Sequence, residues 1–518
     1  MNYIFANNIP TDSIENQPTI IFIFDHWDDY QCKTTFRASL LDQNDIISLG
    51  SVHISSLIQT SIDTKGFSML DFIESHNMTN KILQGFPQDT ILLGDLDYYT
   101  KLMTDFPKYV PKIFEDTNDI AFDTAQYGRA KDNEIVRTSF LRFTNENTIL
   151  GQFHRIATGG KEKINSSFKI TFQSNNSKNF DSSQEIHLRA DPNAILPANV
   201  FALIGNNGIG KTSLLQDILV AASDLNHAIS SKFMQEDSIT FSSEETQGTQ
   251  RKISNVVYIS YSSFDYYDER FENTVHQSSK NNIFFLSNRD KNNINAVLPP
   301  DQVGHNIEED LESIFEQEKM VQILKNNFQW DPDLDNFIEK AQVISSDPFT
   351  DYEKTDLQAL AEKLSSGQKI VLSIVTSLIN YSAENGLFII DETEAYLHAP
   401  YVLSIISTIN DIVTAKNSIA LIATHSPIVI QEIPRKNVFH IVEQNGNKFF
   451  QNPITETFGT DIQIISNEIF GLDTRNTGFY RILRDLALNS PQKIQELKEK
   501  DLLGTDALIY LSIFEESN

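Results

Sequence analysis

A glycine-rich segment near the middle of the chain constrains the fold most strongly. Residues 205–212 read Gly-Asn-Asn-Gly-Ile-Gly-Lys-Thr and fit the pattern Gly-x-x-x-x-Gly-Lys-[Ser/Thr]. An apolar run at 200–204 predicts a buried strand before the pattern, and residues 212–219 have helical spacing after it. Glycine adopts positive φ without steric cost, so backbone N–H groups can point inward around a phosphate at the helix N-terminus. The segment predicts the phosphate-binding loop of an α/β P-loop fold.

The loop residues are predicted to contact ATP and its metal ion. We expect Lys211 to reach the β- and γ-phosphates and Thr212 to place its hydroxyl on Mg²⁺. An ordinary glycine-rich turn before a helix is the alternative interpretation. The predicted ATP-binding residues are Asn206, Asn207, Gly208, Ile209, Gly210, Lys211, Thr212 and Ser213.

Two carboxylates follow a second apolar run. Residues 387–390 predict a buried strand, and Asp391 and Glu392 come directly after it. Carboxylates at a buried strand end are costly without partners, and Mg²⁺ with a triphosphate would supply them. We therefore expect Asp391 to hold Mg²⁺ and Glu392 to accept a proton from the attacking water. A strand that ends in a solvated turn is the alternative.

A histidine and a serine-rich segment complete the set of candidate residues. His425 follows the apolar run 418–424 and is suited to contact a γ-phosphate and orient water, although a structural histidine is the alternative. A further segment lies directly before the apolar helical run 370–379. Its small hydroxyl residues at a helix N-terminus favour an anion, and an ordinary helix cap is the alternative. The residues of this segment are Ser365, Ser366, Gly367 and Gln368.

These motifs, taken in order, resemble those of ABC-type ATPases. Residues 364–368 are similar to the Leu-Ser-Gly-Gly-Gln signature, with Ser366 in place of the first glycine. In that family the signature loop binds the γ-phosphate held by the opposite subunit. Residues 391–400 fit Asp-Glu-x-Glu-x-x-Leu-His-x-Pro, and residues 424–427 read Thr-His-Ser-Pro. Both resemble bacterial ABC-type ATPases related to the SMC and overcoming-lysogenisation-defect groups. The resemblance implies ATP and Mg²⁺ as cofactors and a homodimer or higher homo-oligomer formed through the ATPase faces.

The chain is expected to contain three parts. We predict an N-terminal α/β accessory unit at 1–160, an ABC-type core with a mixed sheet flanked by helices at 161–440, and a C-terminal hairpin with helices at 441–518. A compact helical insert is predicted at about 222–350, because sustained heptads for a coiled coil are missing there. The strand candidate 256–260 lacks the glutamine that follows it in ABC proteins, which leaves Ser260 or Ser262 to replace it.

Composition narrows the class of protein. The formal net charge of −29 opposes a protein that coats nucleic acid, while DNA contact through a local patch stays open. Cys32 is the single cysteine, which excludes an internal disulfide framework. No apolar segment reaches the roughly 20 residues of a membrane helix. These features predict a cytoplasmic globular protein without a membrane contact.

The arrangement as a whole resembles the ATPases of Septu and retron anti-phage systems, the PtuA group. That resemblance implies a separate nuclease subunit of the HNH type and an association with a retron reverse transcriptase or its DNA. The tail beyond His425 is too short for a Toprim nuclease domain, so no nuclease activity is expected in this chain. Three alternatives stay open: a DNA repair or recombination SMC-like ATPase, the soluble subunit of a transporter, and an ATP-sensing scaffold with little turnover.

Overall fold

A computed structural model describes most of the chain, and the structural statements below concern the residues that it describes. They are residues 1–7, 18–25, 31–42, 45–62, 66–142, 144–162, 167–173, 185–227, 238–243, 253–261, 266–276, 282–287, 289–290, 293–297, 318–346, 359–361, 363–392, 394, 397–470 and 478–517.

The N-terminal part is a mixed five-stranded sheet with helices packed on one face. The strand order is β1-β2-β4-β5-β7, with β1 parallel to β2 and the other pairs antiparallel. One buried cluster joins alternate strand residues to the helices. Its elements are β1 (Asn2–Ala6), β2 (Thr19–Phe24), β3 (Cys32–Lys33), β4 (Thr35–Asp42), β5 (Asp45–Ser56), β6 (Phe67–Ser68), α1 (Met69–Ser75), β7 (Thr90–Gly94), α2 (Leu96–Asp105), α3 (Val110–Asp116), α4 (Thr124–Ala130), two π-helical segments (Val136–Phe140 and Thr148–Phe153) and α5 (His154–Ala157).

The rest of the chain is built around a seven-stranded sheet. Its strands, together with those of two smaller sheets, are β8 (Phe168–Gln173), β9 (Glu185–Ala190), β10 (Val200–Ile204), β11 (Ser238–Ser243), β12 (Val256–Ser260), β13 (Ile283–Ser287), β14 (Arg289–Asp290), β15 (Asn293–Val297), β16 (Leu387–Asp391), β17 (Ile419–Ala423), β18 (Val438–Gln444) and β19 (Asn447–Gln451). The helices are α6 (Lys211–His227), α7 (Glu269–His276), α8 (Glu318–Phe328), α9 (Pro332–Ser346), α10 (Ser366–Asn380), α11 (Ala399–Ala415), α12 (Pro427–Gln431), α13 (Ile462–Phe470), α14 (Gly478–Asn489), α15 (Pro491–Glu499) and α16 (Thr505–Ser517).

The seven-stranded sheet is buried on both faces. Its order is β13-β12-β16-β17-β10-β18-β19, and only the edge pair β18–β19 is antiparallel. The central strands β10, β12, β16 and β17 are buried along their whole length, as their apolar sequences require in a parallel sheet. Helices α8 to α13 cover one face, and α6, α7 and the antiparallel sheet β11-β8-β9 cover the other. This is an α/β fold in which helices, and on one face also an antiparallel sheet, cover a largely parallel core sheet.

The segment at 222–350 contains strands as well as helices. Strands β12 and β13 lie in this segment, yet they pair with β16 and belong to the seven-stranded sheet. The described helices that begin in this segment are α7, α8 and α9, and residues 298–317 lie outside the described part. Part of the span interpreted as an insert is therefore integral to the core, because its apolar strands are buried there.

The N-terminal part contacts the core at the end of the sheet where β12 and β16 begin. The guanidinium of Arg155 donates to both carboxylate oxygens of Glu384, at 2.9 and 2.8 Å. The side-chain amides of Asn145 and Asn147 donate to the carbonyl oxygen of Ser254 at 3.3 and 3.4 Å. Ser254 and Glu384 precede β12 and β16, so this contact is at the opposite end of these strands from Asp391.

The C-terminal part begins with the predicted hairpin. Asn445 and Gly446 connect β18 and β19 with φ of 54° and 82°, as a type I′ turn requires. Helices α14, α15 and α16 pack around Leu483, Ile494 and Leu511. Within the described residues, no helix combines the length and the apolar character needed to cross a membrane.

Candidate functional site

The parallel register brings the ends of four strands into one row. Ser260 pairs with Asp391, Asp391 pairs with Ala423, and Ala423 pairs with Leu203. The carboxyl ends of parallel strands lie at the same edge of a sheet, so the segments that follow β10, β16 and β17 meet there. Those segments are the glycine loop, the acid pair and the histidine segment.

The glycine loop turns sharply between β10 and α6. Gly205, Gly208 and Gly210 have φ of 154°, 76° and 104°, a region that side-chain-bearing residues rarely adopt. Ile209 is buried and anchors the loop to the core, and the helix starts directly afterwards. The other predicted contact residues lie at the surface or half-buried: Asn206, Asn207, Gly208, Gly210, Thr212 and Ser213.

Lys211 is a buried cation in an acidic setting. Its side chain is 5% exposed, and its ammonium donates to the carbonyl oxygen of Gly205 at 3.3 Å. Burial lowers the pKa of Lys211, while the nearby Glu392, Asp391 and Glu394 act to raise it. A desolvated ammonium next to inward-turned backbone is well suited to bind an anion.

Lys211, Glu392 and His425 contact one another. A carboxylate oxygen of Glu392 lies 3.2 Å from Nε2 of His425 and 3.9 Å from Nζ of Lys211. The same Nε2 also contacts the ammonium of Lys211. Nε2 of His425 faces both groups. If it carries a proton, it can donate a hydrogen bond to Glu392, and if it does not, it can accept one from the ammonium of Lys211. Hydrogen bonding from His425 is the main cause that lowers the pKa of Glu392, and the charges of His425 and Lys211 add to it.

Glu392 has a strained backbone. Its φ is 45°, in the left-handed region that a residue with a side chain enters at a cost. Its N–H donates to the carbonyl oxygen of Ala423 at 3.1 Å, which holds the conformation against β17. The turn directs Glu392 toward Lys211 and His425 directly after the buried Asp391.

Glu394 has a role that the motif analysis did not assign. One of its carboxylate oxygens accepts hydrogen bonds from the hydroxyl of Thr424 and, at 3.1 Å, from the backbone N–H of His425. This links the segment after β16 to the segment after β17. The last glutamate of Asp-Glu-x-Glu was the signal in the sequence, but its partner Thr424 is 30 residues away along the chain.

The donors near Asp391 fit a metal ion that arrives with a polyphosphate. Asp391 is 1% exposed and accepts a 3.4 Å hydrogen bond from the hydroxyl of Tyr258. The described residues include no group of three or more His, Cys, Asp or Glu side chains that could hold a metal. Mg²⁺ is usually held by one or two carboxylates together with substrate phosphates and water, so Asp391 and Thr212 suit it. Ser260 is buried beside Asp391, and Ser262 lies outside the described residues.

The signature segment begins α10. Ser365 caps the helix, because its hydroxyl accepts from the N–H of Gln368 at 3.3 Å while the Gln368 side chain accepts from the N–H of Ser365 at 2.8 Å. The amide group of Gln368 also donates to both oxygens of Asp331, at 3.1 and 3.0 Å. Gln368 is thus buried and bound within its own chain, whereas Ser365 is exposed and Gly367 borders open space. These hydrogen bonds run within the segment and to Asp331, not to the glycine loop.

The comparisons with known proteins show one similarity over nearly the whole chain. Protein ea59 of Escherichia phage lambda is 25% identical over 482 residues, which cover 89% of this chain and 87% of that protein. No protein-family model matches the sequence.

Similar solved structures cover a little over half of this chain. An SMC head bound to the C-terminal winged-helix domain of ScpA is 12% identical and covers 55% of this chain and 96% of its own, with a TM-score of 0.25. A nucleotide-free ATP-binding cassette of an ABC transporter is 15% identical, covering 59% and 96%, with a TM-score of 0.28. The SMC head domain from Thermotoga maritima is 10% identical, covering 56% and 99%, with a TM-score of 0.28. Scores this low add no weight to the fold, which rests on the strand order described above.

Proposed function

We propose that this chain is an ABC-type ATPase that binds and hydrolyses ATP. The observation that carries the proposal is the contact of Lys211, Glu392 and His425 at the carboxyl edge of the sheet, beside the glycine loop. A buried lysine, a carboxylate and a histidine at this place match the needs of phosphoryl transfer to water: a cation for the phosphates, a base, and a group that orients the water.

Each residue has a part that follows from its position. Lys211 and the N–H groups at the start of α6 bind the phosphates, because they present a buried positive charge and the donors of a helix N-terminus. Glu392 accepts the proton of the attacking water, since its lowered pKa keeps it ionised at neutral pH. His425 holds Glu392 and orients the water. Thr212 and Asp391 would hold Mg²⁺ together with the nucleotide, and the ion would supply positive charge to offset that of the phosphates.

Two substitutions test this assignment. Lys211→Ala should abolish ATP binding in calorimetry, because the compensating charge is lost. Glu392→Gln should bind ATP with Mg²⁺ but release phosphate about 10²–10⁴-fold more slowly, the usual cost of losing a general base. Lys436→Ala removes an exposed lysine and serves as the control. Unchanged ATP affinity of Lys211→Ala would refute the proposal, and parental turnover of Glu392→Gln would refute the role of the base.

The complete site is proposed to form between two subunits. At the N-terminus of α10, Ser365 is exposed and Gly367 is half-buried but borders open space, and the helix dipole there favours an anion. Within one chain, the hydrogen bonds of the described residues do not join the segment at Ser365 and Gly367 to the glycine loop. In the arrangement that the motif resemblance implies, this surface binds the γ-phosphate held by a second copy, so ATP joins the two subunits.

The cellular role proposed is control of a separate nuclease in an anti-phage complex. The order of the motifs and the N-terminal unit support it, through their resemblance to Septu and retron ATPases. In this role the chain is a cytoplasmic, nucleotide-controlled gate, and the cleaving subunit is of the HNH type.

An ATP-sensing scaffold is the second candidate. The Glu392–His425–Lys211 contact favours it, because it engages the proposed base with two partners. The rate of phosphate release by the unmodified protein distinguishes the ATPase from the scaffold, since a scaffold would bind ATP with little turnover.

A further inference from the structure

The C-terminal hairpin lies against the glycine loop. Strand β18 pairs in parallel with β10, with His440 opposite Ile204, the last residue before the loop. A methyl group placed on Gly205 would lie 3.0 Å from the carbonyl oxygen of Ile441. The hairpin therefore forms one wall of the loop, and β19 carries further side chains along that wall.

Lys448 of β19 extends over this loop. A methyl group placed on Gly210 would lie 3.2 Å from Nζ of Lys448, so the ammonium lies beside the glycine that precedes Lys211. Gly210 has φ of 104°, and its missing side chain leaves room for the ammonium. Lys448 is half-buried, and its neighbour across the hairpin is Glu443.

The charges at the site call for a second cation. A carboxylate oxygen of Glu392 lies 3.9 Å from Nζ of Lys211, and the buried Asp391 directly precedes Glu392 at the end of β16. A nucleoside polyphosphate would bring further negative charge to the same place. In the strand order, β18 and β19 lie on the other side of β10 from β16, so Lys448 approaches the loop from the side away from Asp391 and Glu392. Its flexible stem and three donors suit contact with phosphate oxygens.

We propose that Lys448 is a second phosphate-binding residue of the glycine loop, supplied by the C-terminal hairpin. Its ligands are the phosphate oxygens of a nucleoside di- or triphosphate, and the inference rests on the proposed nucleotide function. An ion pair with Glu443 is the competing role. Such a pair on a hairpin surface stabilises by about 0–1 kcal/mol and would not affect nucleotide binding.

Nucleotide affinity tests the proposal directly. Lys448→Met and Lys448→Gln should weaken binding of both ATP with Mg²⁺ and ADP by about 10–100-fold in a fluorescence or calorimetric titration, the effect of losing one charge-assisted hydrogen bond. Lys448→Arg should retain most of the affinity. The melting temperature without nucleotide should stay near that of the parent in all three variants, while the nucleotide-induced rise shrinks in the first two.

Two control variants show whether the effect is specific to Lys448. Glu443→Gln removes the cross-strand partner, Lys436→Met removes an exposed lysine, and both should bind nucleotide like the parent. Parental affinity in both neutral Lys448 variants would overturn the inference, and so would an equal loss in Glu443→Gln. A loss of affinity matched by a fall in the nucleotide-free melting temperature would assign Lys448 a structural role instead. A parent that binds no nucleotide would refute the proposed function itself.

Discussion

At the scale of single residues, buried carboxyl groups show how the surroundings set the chemistry. Asp119 is fully buried in the N-terminal part, where its carboxylate accepts from the hydroxyl of Tyr99 at 3.0 Å and from the N–H groups of Ala121 and Phe122 at 2.9 and 2.8 Å. Burial raises the pKa of Asp119 to about 7, although these hydrogen bonds act to lower it. The hydrogen bonds satisfy the oxygens but do not replace the hydration of the charge.

The raised pKa makes stability depend on pH. Between the unfolded pKa of 3.8 and the folded pKa of about 7, the folded state binds a proton that the unfolded state does not. The contribution of Asp119 to the free energy of unfolding should therefore fall as the pH rises through this window. Asp119→Asn removes the titration, so its melting temperature should fall less between about pH 5 and about pH 8 than that of the parent.

Thermal melts across this range provide the measurement. Asp105→Asn, at an exposed position, is the control and should follow the parent. Asp95 is also buried with its pKa raised to about 7, chiefly by burial, so the dependence in Asp119→Asn should be reduced rather than lost. Parallel curves for Asp119→Asn and the parent would contradict this prediction.

At the scale of elements, the N-terminus of α10 has one side bound within its own chain and one side at the protein surface. Gln368 faces inward, where Asp331 accepts from its amide and also accepts from the hydroxyl of Tyr401 at 2.5 Å. These bonds tie α10 to the start of α9 and to α11. Ser365 and Gly367 remain at the surface. The helix is thus fixed within its own subunit while its N-terminus stays accessible to another.

Gly367→Arg should block ATP-dependent pairing of subunits. A side chain at this position meets open space within one chain, so the substitution should leave folding and ATP binding nearly unchanged. Ser365→Arg would also fill the surface, but it removes a helix cap worth about 1 kcal/mol. Light scattering of Gly367→Arg combined with Glu392→Gln, with and without ATP, measures the effect.

A helical glycine elsewhere provides the matched control. Gly128 in α4 is exposed and also borders open space, so Gly128→Arg adds the same charge and bulk away from the proposed face. This variant in the Glu392→Gln background should still pair when ATP is added. Pairing of the Gly367→Arg protein would argue against a site shared between subunits.

At the scale of the whole molecule, the nucleotide site and the N-terminal part occupy opposite ends of the core strands. Arg155 binds Glu384 before β16, whereas Glu392 follows the same strand. The pairing surface at α10 and the contact with the N-terminal part can therefore be used at the same time.

The purified chain should cleave neither plasmid nor linear DNA with Mg²⁺ or Mn²⁺. Asp391 and Glu392 are assigned to the nucleotide, and the described residues hold no three-ligand metal cluster. The net charge of −29 also opposes binding to DNA. Agarose-gel assays of homogeneous protein, with and without ATP, make the measurement. Cleavage that disappears in Asp391→Ala while ATP binding persists would make this chain a nuclease itself.

The sequence by itself determined the local elements of the site. Strand β10, the glycine loop and α6 follow from five apolar residues, positive-φ glycines and helical spacing. The hairpin follows from Asn445 and Gly446. These features depend on neighbours within a few residues, so periodicity and turn chemistry are enough to predict them. The order of the motifs also placed the acid pair and His425 at strand ends, and hence at one edge of a parallel sheet.

Only the tertiary structure decided which distant residues meet. Lys448 lies at Gly210, Glu394 accepts from Thr424, Gln368 is bound to Asp331, and Arg155 pairs with Glu384. Strands β12 and β13 joined the core sheet for the same reason, since strand order is set by packing over the whole chain. A lysine, glutamate or glutamine has the same local pattern whether it faces solvent or a buried partner. Its role is fixed by long-range register and burial, which no window of a single sequence contains.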